Sequence, residues 1–289
     1  MNVGIVACSN GLNFERREQI EVLINQLENY GMHAVCSPHL YAENGVAAGT
    51  AVERARVLMD FYRDESIGAI FDVSGGDIAN EILPHLDYAV IANARKPFWG
   101  YSDLTTIINA IYARSNVPSV LYQVRNLVKD RAEVQQMRFA EYAAHPDRRG
   151  MLFDLRYEFL RGREMGGIII GGNVRCLLKL AGTPFWPDMK DKILFLEALG
   201  GDEGPLRTYF AQLEQLGAFR QIAGILLGTF TRFEESQEGM TVYEILEPHL
   251  PKNLPVARTP DVGHGSDAKA IEIGAYIDIN KGGTYAFTR

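Results

Sequence analysis

The stretch Lys96-Pro97-Phe98-Trp99-Gly100-Tyr101-Ser102-Asp103-Leu104-Thr105-Thr106 holds a short apolar run that breaks at a glycine, presents one serine and passes into a helix-like segment. A strand turning sharply into a helix puts a serine Oγ at the C-terminal edge of a sheet, where the amides of the new helix can hold an oxyanion. The same letters also read as a serine that caps a helix after a buried strand. As a nucleophile, Ser102 needs a base, and the base must be held by a third group. Of the six histidines, His33 and His39 flank a short apolar run, His85 follows Leu83-Pro84, His145 lies in a polar stretch and His249 ends a helix-like segment. His264 differs, because Asp261-Val262-Gly263-His264-Gly265-Ser266-Asp267 places it between two glycines just after the apolar Pro255-Val256-Ala257. Glycines there let the backbone approach a ligand closely and adopt unusual torsions. Glu197 closes the run Ile193-Leu194-Phe195-Leu196, which reads as a buried parallel strand. The C-terminal end of such a strand is where open α/β sheets carry their chemistry, and a carboxylate there either orients a histidine or faces solvent.

The surrounding elements alternate. Strands are expected at 3–7, 34–36, 69–73, 89–92 and 120–122, with helices over 15–30, 52–62 and 78–83 and from the elbow to about residue 114. A charged helix over 128–144 leads into Ala144-His145-Pro146-Asp147-Arg148-Arg149-Gly150, a polar stretch with the composition of a linker. Strands then recur at 166–170, 193–196, 225–227 and 275–279, with helices at 206–216 and 242–246, and Lys281-Gly282-Gly283 reads as a hairpin turn. The expected fold is therefore α/β: an N-terminal domain over 1–145 with a doubly wound, mainly parallel sheet, and a C-terminal α/β domain over 146–289. Ser102 falls in the first and Glu197 and His264 in the second, so the active site is expected in the cleft between them.

Composition narrows the function. An apolar content of 47% supports a substantial core, and the net charge of −7, with no basic cluster, argues against nucleic acid as a partner. Cys8, Cys36 and Cys176 have no metal-type spacing and read as thiols in a reducing compartment; Cys8 follows the first strand but has no histidine motif beside it. The N-terminus reads as a strand instead of a signal peptide, and no run approaches the about 20 apolar residues of a membrane span, so a cytoplasmic protein without membrane contact is expected. No His-Glu-x-x-His or carboxylate cluster is present, so neither metal nor cofactor is expected. A rival reading from another class takes Gly75-Gly76-Asp77 and Gly171-Gly172-Asn173 as anion-binding turns of a non-catalytic small-ligand module, although neither matches a dinucleotide or Walker loop. Glu234-Glu235 lies in a polar loop and reads as solvated surface.

Taken in order, Gly75-Gly76, Gly100-Tyr101-Ser102-Asp103 with Thr105, Gly171-Gly172-Asn173, the 193–197 strand, Gly224-Ile225-Leu226-Leu227-Gly228-Thr229-Phe230 and Gly263-His264 resemble the LD-carboxypeptidase family of serine peptidases. That family includes muramoyltetrapeptide carboxypeptidases and microcin C self-immunity peptidases, and the likeness spans nearly the whole chain. The resemblance implies Ser102 as nucleophile, His264 as general base and acid, and Glu197 as the residue that orients it. It implies an oxyanion hole from the backbone amides of Asp103 and Gly76 or Gly75, and a substrate pocket touched by Gly75, Asp77, Tyr101 and Asn173. It also implies a small peptide substrate, release of terminal D-alanine from a muropeptide, and a homodimer; a peptidyl or aminoacyl nucleotide is the alternative substrate, on whose base Trp186 could stack. Three departures stand out. Ser74 and Asp77 replace an arginine and a tyrosine that often flank the paired glycines, Ala198 replaces an acid common after the glutamate, and Leu121-Tyr122-Gln123-Val124-Arg125 lacks a usual His-Gly-Pro stretch. These bear on substrate preference more than on reaction type.

Overall fold

Sheet order in the computed structural model, which describes residues 1–43, 45–146, 150–236 and 239–280, explains how distant segments meet. The N-terminal half runs β1 (Asn2–Val6), α1 (Arg17–Glu28), β2 (His33–Cys36), α2 (Ala51–Arg63), β3 (Ile67–Asp72), α3 (Tyr88–Ala94), β4 (Phe98–Gly100), α4 (Thr105–Ser115), β5 (Ser119–Leu121) and α5 (Ala132–Ala144). The C-terminal half runs α6 (Gly150–Phe153), β6 (Glu158–Arg161), β7 (Glu164–Asn173), α7 (Val174–Leu178), β8 (Lys192–Ala198), α8 (Glu203–Gln215), β9 (Gly224–Phe230), α9 (Thr231–Ser236), α10 (Val242–Leu246), β10 (Val256–Arg258), β11 (Ile271–Ile273) and β12 (Tyr276–Asn280). The first sheet has the order β11-β5-β4-β3-β1-β2 and the second β12-β7-β8-β9-β10-β6. Strands β1 to β5 are mutually parallel, as are β7 to β10, and the antiparallel pairs lie at the sheet edges. The chain is thus a two-domain α/β protein with mainly parallel sheets. Strand β11 returns from the C-terminal half to pair with β5 at the edge of the first sheet, so the segment carrying His264 is anchored in both.

Local chemistry accounts for the elements that matter. Ile193 to Leu196 of β8 are fully buried, as the unbroken apolar run requires of a strand covered on both faces. Helix α1 buries Ile20, Leu23 and Leu27 at helical spacing, and α2 starts in a capping box between Thr50 and Glu53. Under the first sheet, Trp99 of β4 packs among Phe71, Tyr122, Phe139, Tyr142 and Phe153, with ring centroids 5.2 to 6.1 Å away. That cluster fixes the strand that leads to Ser102.

Two expectations about elements fail. Residues 89–92, read as a strand, lie in α3, because the Asp87 carboxylate accepts from the amides of Ala89 and Val90 and so starts a helix; an apolar run this short has no period of its own. The helix expected over 128–144 begins at Ala132, because Arg131 takes a left-handed conformation (φ 64°) and residues 124–128 form a separate 3₁₀ turn. The hairpin expected at 281–283 lies outside the described residues.

The two halves are joined through the helix that follows Ser102. The Asn109 amide reads the backbone of Gly171 at the end of β7 in both directions, with Nδ2 donating to Gly171 O and Gly171 N donating to Oδ1, both at 2.8 Å. Thr105 Oγ1 accepts from Asn173 N at 3.0 Å. A side chain at Gly172 would strike Thr105, so the close approach of α4 to β7 requires glycine. Asn109→Ala is expected to destabilise the protein by about 2–3 kcal/mol, since it leaves two buried backbone groups of Gly171 unpaired; chemical denaturation checks this.

Candidate active site

Ser102 occupies a backbone conformation that caps do not use. Its φ is +57°, in the left-handed region, between extended Tyr101 and the 3₁₀ turn Ser102–Leu104 that feeds α4. Helix caps take β-region torsions, and neither this turn nor α4 is capped by the Ser102 side chain, so the serine sits at an elbow instead of a cap. A left-handed non-glycine residue costs roughly 1–2 kcal/mol and persists only where its surroundings enforce it. Here the neighbouring Asp103 supplies the restraint. Its fully buried carboxylate accepts from Ser9 Oγ (2.7 Å), Ala79 N (2.8 Å) and Lys179 Nζ (2.5 Å), tying the elbow to the loop after β1, to the segment after the glycine pair and to the residue after α7.

The paired glycines lie against the serine. A side chain built at Gly75 would come 3.9 Å from Ser102 Cβ, and Gly76, with φ +129°, would drive one into the Asn10 amide at 2.2 Å. Asn10 holds this turn by donating to Gly75 O and accepting from Asp77 N. Asp77 is exposed and pairs with Arg175 at 2.5 Å, while Lys179 also donates to its carbonyl. The Asp103 amide is among the first N–H groups of its turn, which have no carbonyl of that turn to bond. Gly75 thus lies beside Ser102, and Asp103 follows it directly in the chain.

His264 and Glu197 come together as a buried pair. Nδ1 of the imidazole is 2.6 Å from Glu197 Oε2, with the side chains 7% and 0% exposed. That contact commits Nδ1 and leaves Nε2 buried with no hydrogen-bond partner among the described residues. Tyr101, immediately before Ser102, joins this pair to the elbow. Its ring lies 4.5 Å from the imidazole centroid and its hydroxyl donates to Gly263 O. Burial, and next the Glu197 charge, push the Tyr101 phenol well above its usual range, so it stays a donor. Gly263 is needed at its position, because a Cβ there would meet Thr229 Oγ1 at 1.8 Å. On the far side of the loop, Gln135 of α5 donates to the carbonyls of Ser266 and Ala268.

Tyr101 and Asn173, expected to line the substrate pocket, are buried, and their side chains are engaged elsewhere. Tyr101 holds the His264 loop, and Asn173 caps α7 by accepting from Cys176 N, one strand across from Glu197 in register. Trp186 is half-buried against the main core. Cys8 is buried, and burial followed by the Asp72 charge raises its pKa well above the usual range, so it is held as a thiol and is a poor nucleophile. A cavity of about 310 Å³ borders the His264 loop at Gly263 and Gly265, and shares Thr229, Glu234 and Pro260 with a larger one of about 730 Å³ at the ends of β9 and β10. Ser102 lines neither. Sequence reading missed Asn109, Lys179 and Gln135, each of which works through backbone or carboxylate contacts that link distant segments and leave no local pattern.

An elbow serine and a buried carboxylate–imidazole pair with its outer nitrogen unpartnered are the groups that acyl transfer requires. The likeness to known proteins agrees. Residues 3–122 match the LD-carboxypeptidase N-terminal domain and residues 166–279 the LD-carboxypeptidase C-terminal domain. The chain belongs to the LD-carboxypeptidase family. It is 25% identical over 277 residues to a probable murein peptide carboxypeptidase of Bacillus subtilis, covering 91% of this chain and 84% of that protein. In fold it is similar to the microcin C7 self-immunity protein MccF in complex with glutamyl sulfamoyl guanosine (TM-score 0.87, 20% identity, 100% of this chain and 96% of that one). It is likewise similar to the muramoyltetrapeptide carboxypeptidase of Oxalobacter formigenes (TM-score 0.78, 20% identity, 99% and 97%). Among the described residues no helix is long and apolar enough to cross a membrane.

Proposed function

We propose that this protein is a serine carboxypeptidase that releases terminal D-alanine from a muropeptide by cutting the amide that joins it to the L-configured centre of a diamino acid. The observation that carries this reading is the buried Glu197–His264 pair, with Nδ1 committed and Nε2 free, set against the residue preceding an elbow serine. Ser102 Oγ attacks the scissile carbonyl carbon while His264 Nε2 takes its proton. The amides of Asp103 and Gly76 hold the oxyanion, each such donor typically contributing on the order of 3 kcal/mol of barrier reduction. His264 then hands the proton to the leaving amine of D-alanine, and water, activated by the same nitrogen, frees the shortened peptide from Ser102. Glu197 stabilises the imidazolium in both steps. We further propose a cytoplasmic homodimer acting in peptidoglycan recycling.

Hydrolysis of an aminoacyl nucleotide is the second reading, supported by the fold shared with MccF. The muropeptide is favoured because Arg175 and Lys179, which bond the Gly76 and Asp77 carbonyls, are already paired with Asp77 and Asp103 and offer a nucleotide phosphate no unpaired charge of their own. Side-by-side turnover of an L-Ala-D-Glu-diamino acid-D-Ala tetrapeptide and an aminoacyl sulfamoyl adenylate decides between them. Release of D-alanine is expected, and hydrolysis of the adenylate alone overturns the choice of substrate. Among the described residues no three His, Cys, Asp or Glu side chains gather as a metal site, so prolonged EDTA treatment is expected to leave kcat unchanged within about 2-fold.

A further inference from the structure

A carboxypeptidase cuts beside a free α-carboxylate, and that charge needs a partner in the site. Most cations around the elbow are already engaged. Arg175 and Lys179 are paired as described, and the buried Arg54 donates to the carbonyls of Cys8 and Ser9 and pairs with Glu81. Arg125 is different. It is only 8% exposed, and its Nε and Nη1 are buried with no hydrogen-bond partner among the described residues. The carboxylate that bears on it electrostatically, Asp72, already accepts from Cys8 N, Ser74 N and Ser74 Oγ. Arg16 and Lys129 add like charge around it. A guanidinium buried without partners is costly to hold, and an arriving anion removes that cost.

Its place in the fold fits a subsite for the leaving residue. Arg125 lies in the 3₁₀ turn Val124–Val128 that follows β5, the strand beside β4, and β4 runs into Ser102. Gln123 spans from this turn to the glycine pair, with Oε1 accepting from Arg125 N (3.2 Å) and Nε2 donating to Ser74 O (3.3 Å). In the other direction the turn packs on α5, whose Gln135 grips Ser266 and Ala268 while Arg131, just before it, pairs with Asp267. The turn that carries Arg125 is therefore tied on one side, through Gln123, to the residue before the glycine pair and on the other, through α5, to the loop that carries His264.

We propose that Arg125 binds the terminal carboxylate of the residue released, with Lys129 and Arg16 strengthening the local positive potential. The assignment rests on the carboxypeptidase reading. Burial first, then the Arg16 charge, brings the Arg125 pKa down to about 10, so it remains a cation at neutral pH. Arginine suits the task because its fork matches both oxygens of a carboxylate.

The test compares the D-alanine-terminated tetrapeptide with the same peptide ending in D-alaninamide, on the wild type, Arg125→Gln, Arg125→Lys and Lys129→Gln. The wild type is expected to prefer the free acid by about 10²-fold in kcat/KM, as removal of one member of a buried charge pair typically costs. Arg125→Gln loses about that factor on the acid, mainly through KM, and stays within about 3-fold on the amide; Arg125→Lys recovers part of the loss. Lys129→Gln, which keeps the buried guanidinium, loses about 3-fold on the acid alone, and this comparison stands even if Arg125→Gln folds poorly. Equal losses on both peptides, or an unchanged preference for the acid, overturn the assignment while leaving the serine mechanism in place. A wild type that releases neither D-alanine nor D-alaninamide overturns the carboxypeptidase reading and this subsite with it.

Discussion

Ser102→Ala is expected to lower kcat for D-alanine release by roughly 10³-fold or more, and His264→Ala by a similar factor. The two losses arise from different atoms of one step. Ser102 supplies the oxygen that becomes acylated, and without it only water remains as the attacking group. His264 supplies the nitrogen that takes the serine proton and returns it to the amine, and without it both transfers fall to solvent. The folds respond differently. Removing the Ser102 hydroxyl breaks no hydrogen bond seen among the described residues, so Ser102→Ala is expected to unfold at nearly the wild-type denaturant midpoint. Ser102→Gly is expected to be more stable than Ser102→Ala by about 1 kcal/mol, because glycine adopts φ +57° without steric cost. His264→Ala leaves the buried Glu197 carboxylate without its Nδ1 partner and is expected to lose about 1–3 kcal/mol of stability. Circular dichroism under denaturant, run beside the kinetics, separates loss of chemistry from loss of fold.

Glu197→Gln is expected to reduce kcat by about 10²-fold with little change in KM. The substitution keeps size and shape at a position with no exposure, and the amide oxygen can still accept from Nδ1, so His264 retains its orientation. What is lost is the negative charge, and in a site closed to water that charge stabilises the imidazolium formed in each transfer. The effect falls on the transition state because substrate binding involves no charge on the histidine. A loss seen in KM with kcat unchanged would place Glu197 in substrate binding instead.

Much of this site is legible in the sequence because its parts have local signatures. A glycine-broken apolar run before Ser102, an unbroken one ending at Glu197 and a histidine between glycines each follow from what a strand, an elbow or a close approach needs. Mainly parallel α/β domains follow from the alternation of strands and helices along the chain, and β8 shows why: four consecutive buried apolar residues have no place on a sheet with one wet face. Long-range contacts left no such trace. Nothing near Asn109 announces that its amide will bond Gly171, and nothing near Ile271 that it will cross back to pair with Leu121. The strand expected at 89–92 failed for a local reason, since the Asp87 cap outweighed the β-propensity of Val90 and Ile91.

Ser102 and His264 are proposed to act as one unit on the scissile bond, and the double variant Ser102→Ala/His264→Ala probes that coupling. Groups that share a single proton transfer are strongly non-additive, because once either is missing the other has nothing left to do. In the double variant, kcat for D-alanine release from the tetrapeptide is expected to lie within about 5-fold of that in either single variant. A double variant whose loss is the product of the two single losses would show that the serine and the histidine act independently, and would contradict the mechanism.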